Sequence, residues 1–203
     1  MTRIADAVNG AARRIPPWLL YVIGPLPAVW FFWLGLTGGL GPEPIKALEH
    51  RLGELALQLL LAGLAISPLR RQFGVNLIRY RRAVGLLAFF YVTVHLAVWL
   101  FLDVQIWGQI WADIIKRPYI TIGMAGYALM IPLAVTSNNW SVRRLGPVWR
   151  RLHRLTYGAV LLGAVHYVML VKGWQTEPLL YLAAALGLLL LRLPLQRRRP
   201  AHS

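Results

Sequence analysis

The most regular feature of the chain is a series of six apolar stretches separated by short polar connections. A helix needs about 17 to 25 residues to cross a hydrocarbon core of roughly 30 Å, and each stretch is of that length. Because the connections are short, neighbouring helices should run antiparallel in one bundle. The stretches predict membrane-spanning helices at residues 18–36, 52–68, 83–102, 119–135, 152–171 and 178–195.

The pattern predicts an all-α membrane protein with a six-transmembrane-helix bundle over residues 18–195, preceded by an N-terminal segment, 1–17, and followed by a basic tail, 196–203. Hydrophobic residues make up 58% of the chain and charged residues 14%, and the mean hydropathy is +0.54. A typical soluble domain has a smaller share of hydrophobic residues than this. The chain has no cysteine, which excludes a disulfide, an iron–sulfur cluster and covalently attached c-type haem. Any redox cofactor must therefore be bound non-covalently.

Basic residues are concentrated on one side of the predicted bundle. Of the 22 Lys and Arg residues, 17 lie near the two termini and in the connections after the second and fourth spans. The other side carries six of the seven acidic residues. Because Lys and Arg are enriched in cytoplasmic connections, both termini are predicted to be cytoplasmic. Topology and anionic lipid headgroups account for the net charge of +15, so no nucleic-acid partner is predicted.

Two histidines, His95 and His166, lie deep inside apolar stretches. An ionisable side chain within a bilayer is costly and should face a partner inside the bundle. His95 lies 13 residues beyond Arg82, and His166 lies 13 residues beyond His153 in a helix that runs the same way. Both imidazoles are therefore expected about 20 Å from the cytoplasmic end, nearer the outer face. Two imidazoles at one depth predict axial ligation of a b-type haem iron from both sides.

Other roles for these histidines remain open at this point. Each imidazole could hydrogen-bond to a neighbouring helix or belong to a proton path. No intramembrane Asp or Glu lies nearby along the chain to form a relay. A zinc or copper site is less favoured than haem, since no cysteine or carboxylate completes a tetrahedral ligand set.

His153 differs from this pair because it begins the fifth predicted span among arginines, in the run WRRLHRL. A second haem at His153 would lie nearer the cytoplasm, but the matching positions on the third span are Arg81 and Arg82, which are not ordinary axial ligands. An interfacial cation is the alternative role for His153. Arginine can pair with haem propionates, a quinone or a flavin phosphate, and the candidates for these contacts are Arg79, Arg81, Arg82 and Arg151.

The chain resembles the MsrQ family, formerly YedZ, within the ferric-reductase-like transmembrane superfamily. The runs that carry the resemblance are LEHRLGELAL, SPLRR, RYRRAVGLLAFFYVTVHL, KRPYITIGMAGYALMIPLAVTS and RRLGPVWRRLHRLTYGAVLLGAVHYV. The resemblance implies a six-helix, multi-pass subunit of the bacterial inner membrane that binds haem b. It also implies that His95 and His166 are the haem ligands and that His153 is a further haem-associated histidine.

The same resemblance implies the partners. The family passes electrons to MsrP, a periplasmic molybdopterin enzyme that reduces methionine sulfoxide in periplasmic proteins. FMN and either the quinone pool or a cytosolic flavin reductase are associated with the family as electron sources. An outer partner would dock at the loops that contain His50, Lys116 and Arg117.

The chain contains no dinucleotide-binding fingerprint of the GxGxxG type and ends within about ten residues of its sixth predicted span. We therefore expect electrons to arrive from another molecule, and we expect no substrate-converting active site in the chain itself. Two alternative functions are a stand-alone transmembrane ferric or quinone reductase and a proton-coupled transporter with titrating histidines.

Overall fold

A computed structural model describes residues 2–171 and 173–192, and every regular element within them is helical. The helices are α1 (Thr2–Arg14), α2 (Leu19–Ile23), α3 (Leu26–Leu36), α4 (Pro44–Phe73), α5 (Arg81–Val98), α6 (Trp107–Lys116), α7 (Pro118–Val135), α8 (Asn139–Leu145), α9 (Pro147–Leu152), α10 (Leu155–Leu170) and α11 (Thr176–Leu190). A 3₁₀ turn, Ile78–Tyr80, leads into α5, and a π-helical segment, Trp99–Val104, extends it.

Four helical segments are long and apolar enough to cross a membrane: Leu19–Leu36, Pro44–Phe73, Ile78–Val104 and Pro118–Val135. They coincide with the first four predicted spans. Helices α10 and α11 lie where the fifth and sixth spans are predicted, with lengths of 16 and 15 residues. The all-helical, multi-pass architecture is thus confirmed, whereas the count of six spans and the cytoplasmic termini stay predictions. The basic tail, 196–203, lies outside the described residues.

The centre of the bundle is built from two helix pairs, α4 with α5 and α7 with α10, and α11 packs against α4 and α10. The residues of the main core are Leu57, Leu60, Leu64, Ala88, Met130, Ala159, Val160, Ala164 and Ala185. Four of these nine are alanines, whose small side chains let helix backbones approach closely. Close approach brings residues of α4, α5, α7 and α10 around one central space.

The first span is interrupted at Gly24 and Pro25, between α2 and α3. The Tyr91 hydroxyl of α5 donates a hydrogen bond of 2.6 Å to the Gly24 carbonyl at this break. A Cβ atom at Gly24 would lie 2.5 Å from a methyl group of Leu87, so the glycine allows α2 to lie directly against α5. A neighbouring helix thus satisfies a carbonyl at the helix break, as membrane bundles require.

A second proline leaves a carbonyl open in α4. Pro68 has no N–H to donate to the carbonyl of Leu64 one turn earlier. The Arg192 guanidinium, just beyond α11, donates to this carbonyl from Nη2 at 2.6 Å and from Nε at 3.1 Å. Arg192 therefore joins the C-terminal part of α4 to the C-terminal end of α11. The predicted topology places both on the cytoplasmic side.

The connection between α5 and α7, which the sequence pattern predicted to be a loop, contains the amphipathic helix α6. Ile110 of α6 is buried against Trp99 and Ile120. Trp107 and Trp111, which neighbour Ile110 on the helix surface, are exposed. Helix α6 therefore packs at the end of the bundle beside Trp99 and Ile120, which also line the central cavity.

Candidate haem site

His95 of α5 and His166 of α10 face each other across a cavity enclosed by α4, α5, α7 and α10. The centres of the two imidazole rings are 6.3 Å apart, and the ring planes are inclined at 80°. The structure therefore brings together the two histidines that the depth argument singled out.

The distance between the rings can be compared with that of two imidazoles bound to one metal ion. An imidazole nitrogen binds a first-row metal at about 2.0 Å. The centre of a five-membered ring with bonds of about 1.33 Å lies about 1.1 Å from each of its atoms. Two imidazoles on opposite sides of one metal ion therefore have ring centres about 6.2 Å apart. The observed 6.3 Å fits this value.

The hydrogen bonds of the two rings are equivalent. His95 Nδ1 is 2.9 Å from the carbonyl oxygen of Glu49 on α4, and His166 Nδ1 is 2.7 Å from the carbonyl oxygen of Tyr119 on α7. A carbonyl oxygen can only accept, so each Nδ1 carries the proton and donates it. Each Nε2 is left with a free lone pair. A histidine that ligates a metal is held in this way by its second nitrogen.

The cavity between the helices measures about 270 Å³. This is close to the lower end of the roughly 300 to 1,000 Å³ that is usual for cofactor pockets. Its walls are mainly apolar. Four of the residues that line it are small and leave space between the helices: Ala56, Gly126, Ala159 and Gly163. The donor pair, its spacing and the apolar walls together fit a haem with two imidazole ligands.

Charged side chains gather at one rim of the cavity. Lys46 and Arg117 line this rim together with His50 and Asp103. Lys46 and Arg117 are the cations of the lining, and a cation there can pair with a carboxylate such as a haem propionate. Sequence reasoning had not assigned Lys46 any role, because its position at the cavity depends on how α4 packs.

The four arginines predicted to contact propionates, a quinone or a flavin are absent from the described residues that line this cavity: Arg79, Arg81, Arg82 and Arg151. Arg79 instead donates from Nη1 to the carbonyls of Ala12 and Arg13, at 3.3 and 3.0 Å. Any role of these arginines would therefore be at another place in the bundle, and it stays a prediction.

His153 lies apart from the pair, and its hydrogen bonding differs. Its Nε2 is 3.0 Å from the Thr136 hydroxyl, which itself donates to the Pro132 carbonyl at 2.6 Å. The hydroxyl therefore accepts from His153, whose Nε2 carries the proton. The ring also stacks on Trp149 at 3.8 Å. A second haem bound at Nε2 would have to displace Thr136, and this second haem stays a prediction.

The predicted docking residues lie at the same end as the charged rim. His50 and Arg117 line the rim, and Lys116 is exposed at the end of α6. Arg117 forms an ion pair of 3.2 Å with Asp113 and donates to the Tyr119 hydroxyl at 3.3 Å. Tyr119 also accepts the hydrogen bond of His166 at its carbonyl. Contacts of these residues with a partner stay predictions.

Comparison with known proteins identifies the class. Residues 51–164 match the family described as the ferric reductase like transmembrane component. The match covers more than half of the chain and includes His95 and His153, so the chain belongs to this transmembrane family.

Two similar relatives are the protein-methionine-sulfoxide reductase heme-binding subunits MsrQ of Brucella ovis and Brucella canis. Each is 50% identical over 206 aligned residues, which cover 96% of this chain and 94% of the relative. The chain therefore belongs to the MsrQ family, as its sequence runs indicated.

Proposed function

We propose that this protein is the haem-binding, electron-transferring membrane subunit of a methionine sulfoxide reductase system. The observation that carries the proposal is the 6.3 Å separation of His95 and His166, with each Nδ1 bonded to a helix carbonyl. The names of the MsrQ relatives support both the heme and the reductase system. A haem b, if held by the imidazoles of His95 and His166, would supply one-electron transfer.

The residues of the chain then have three tasks. His95 and His166 hold the iron from α5 and α10, on opposite sides of the cavity. Apolar walls, including Leu57 and Leu60, exclude water and so influence the reduction potential. Lys46 and Arg117 balance carboxylate charge at the rim.

We further propose a direction for the electrons. With both termini cytoplasmic and six spans in a bacterial inner membrane, His153 and the arginines Arg79, Arg81, Arg82 and Arg151 lie on the inner side. The quinone pool or a cytosolic flavin reductase would donate there, with FMN or a second haem as an intermediate carrier. The rim with His50, Lys116 and Arg117 would then face the periplasm, where the molybdopterin enzyme MsrP accepts electrons and reduces methionine sulfoxide. His50 and Arg117 line the same cavity as His95 and His166, which supports an electron exit at this end.

The ligand assignment is tested on the purified full chain by a pyridine haemochrome spectrum and haem quantification per polypeptide. Wild type should contain haem b, His95→Ala and His166→Ala should lose the haem between these helices, and His153→Ala should keep it. A complete two-histidine spectrum in His166→Ala would overturn the assignment. Absence of haem from wild type would overturn the electron-transfer function.

The ferric-reductase family match favours a second candidate, a stand-alone transmembrane ferric or quinone reductase. The two are distinguished by reoxidation of the reduced haem after addition of MsrP. The proposed function predicts reoxidation only when MsrP and a sulfoxide substrate are both present. Equally fast reoxidation by a ferric chelate or a quinone alone would favour the stand-alone reductase.

A further inference from the structure

Each of the two paired histidines lies directly against a glycine of the neighbouring helix. A Cβ atom built at Gly53 on α4 would lie 3.0 Å from His95 Nδ1 and 3.1 Å from its Cε1. A Cβ atom at Gly123 on α7 would lie 2.8 Å from His166 Nδ1 and 3.0 Å from its Cε1. Ordinary contacts between carbon atoms are about 3.5 Å or longer. Any side chain at these positions would therefore push against the imidazole.

The glycine and the carbonyl that binds the ring are four residues apart on both helices. Glu49 precedes Gly53, and Tyr119 precedes Gly123, by one helical turn. In a helix the side chain of a residue covers the turn before it, so a Cβ atom four residues later lies over the carbonyl. A glycine at this position leaves the carbonyl open to an Nδ1–H group from another helix. The same arrangement occurs independently on α4 and α7, one for each histidine.

We propose that Gly53 and Gly123 are positioning residues, which keep the Nδ1 hydrogen bonds of the two haem ligands short and hold the ligand planes near the observed 80°. This inference rests on the proposed function, since it concerns the same histidines. A hydrogen bond from Nδ1 to a carbonyl makes the imidazole a stronger electron donor to iron. Stronger donation favours ferric over ferrous iron and so lowers the reduction potential. The angle between the planes controls the anisotropy of the ferric low-spin EPR signal.

Alanine at either glycine should therefore raise the reduction potential and change the EPR signal. The added methyl group would move the ring by roughly half an ångström to reach ordinary contact, which lengthens the hydrogen bond and turns the ring. The effect should be larger for Gly123→Ala than for Gly53→Ala, because its contact is closer.

Two other helical glycines provide matched controls. A Cβ atom at Gly85, on the same helix as His95, would meet nothing within 4 Å. A Cβ atom at Gly63, on the same helix as Gly53, would meet only Val84, at 3.6 Å. Gly85→Ala and Gly63→Ala should keep the wild-type potential and EPR signal.

The experiment compares purified full-length wild type and the four variants by haem content, redox titration and low-temperature EPR. A raised potential and an altered low-spin signal in Gly53→Ala and Gly123→Ala, with both controls unchanged, are expected. Full haem content with a wild-type potential and signal in both variants would overturn the inference while leaving the proposed function intact. Wild type without haem would overturn the proposed function itself.

If Gly123→Ala loses its haem, a rescue experiment separates ring displacement from general damage. In His166→Gly/Gly123→Ala, free imidazole is not tied to α10 and can shift away from the new methyl group. Imidazole should then restore a low-spin haem to the same level as in His166→Gly alone. Failure of imidazole in the double variant, with success in His166→Gly, would show that alanine disrupts the packing of α7 and would overturn the inference.

Discussion

Arg192→Met should destabilise the bundle because it removes the donor to a carbonyl of α4 that has lost its usual helical partner to a proline. The guanidinium donates twice to the Leu64 carbonyl, and Pro68 cannot supply the usual helical donor. Hydrogen bonds from a charged donor contribute about 1.5–3 kcal/mol to stability, and a buried acceptor that is left without a donor costs a similar amount of free energy. Arg192 also donates to Tyr157 and to Ser67. We expect Arg192→Met to lower the free energy of unfolding by about 1.5–3 kcal/mol.

The proline makes this prediction specific. In Pro68→Ala the new N–H can reach the Leu64 carbonyl within α4, so the carbonyl keeps a partner when Arg192 is replaced. The bonds to Tyr157 and Ser67 are lost in both backgrounds and cancel in the comparison. The double-mutant cycle should therefore give a coupling energy of about 1 kcal/mol or more.

The four proteins of the cycle can be unfolded from detergent micelles and followed by tryptophan fluorescence. The loss caused by Arg192→Met should be clearly smaller when Pro68 is alanine. An equal loss in both backgrounds would refute the reasoning, since it would mean that the arginine does not act through the carbonyl that the proline leaves open.

Two further substitutions test local features of the fold in the same unfolding assay. Tyr91→Phe removes the donor to the Gly24 carbonyl and should cost about 1–3 kcal/mol; an unchanged stability would show that water or lipid-side rearrangement satisfies that carbonyl. Gln105 has a positive φ of 60°, so Gln105→Val should destabilise because a β-branched residue is poorly tolerated there, whereas Gln105→Gly, which has no Cβ, should be neutral or stabilising. The reverse order for the two Gln105 variants would contradict this assignment of backbone strain.

The sequence allowed the helical architecture and the central pair of histidines to be predicted because both depend on position along a helix. The length of an apolar stretch predicts a membrane span. His95 and His166 lie at equal distances from the basic ends of their helices, which predicted that the two side chains would meet. Their separation of 6.3 Å agrees with that expectation. The pattern could not show which helix faces each imidazole, since this depends on how the helices are rotated and packed.

The specific roles of several site residues could therefore be assigned only from the structure. Gly53 and Gly123 are ordinary glycines of apolar helices until the carbonyls one turn earlier and the imidazoles opposite them are known. In the sequence, Lys46 contributed only to the count of basic residues on the predicted outer side of the membrane. The hydrogen bond of His153 to Thr136 joins two segments 17 residues apart, and nothing in the spacing predicted which nitrogen would be protonated.

The central claim is that one iron is held between His95 and His166, and low-temperature EPR of the purified ferric wild-type protein tests it most directly. With two imidazole ligands whose planes are close to the observed 80°, we predict a highly anisotropic low-spin signal that accounts for the haem between these helices. A high-spin ferric signal from that haem, or the same low-spin signal in His166→Ala, would contradict ligation by these two histidines.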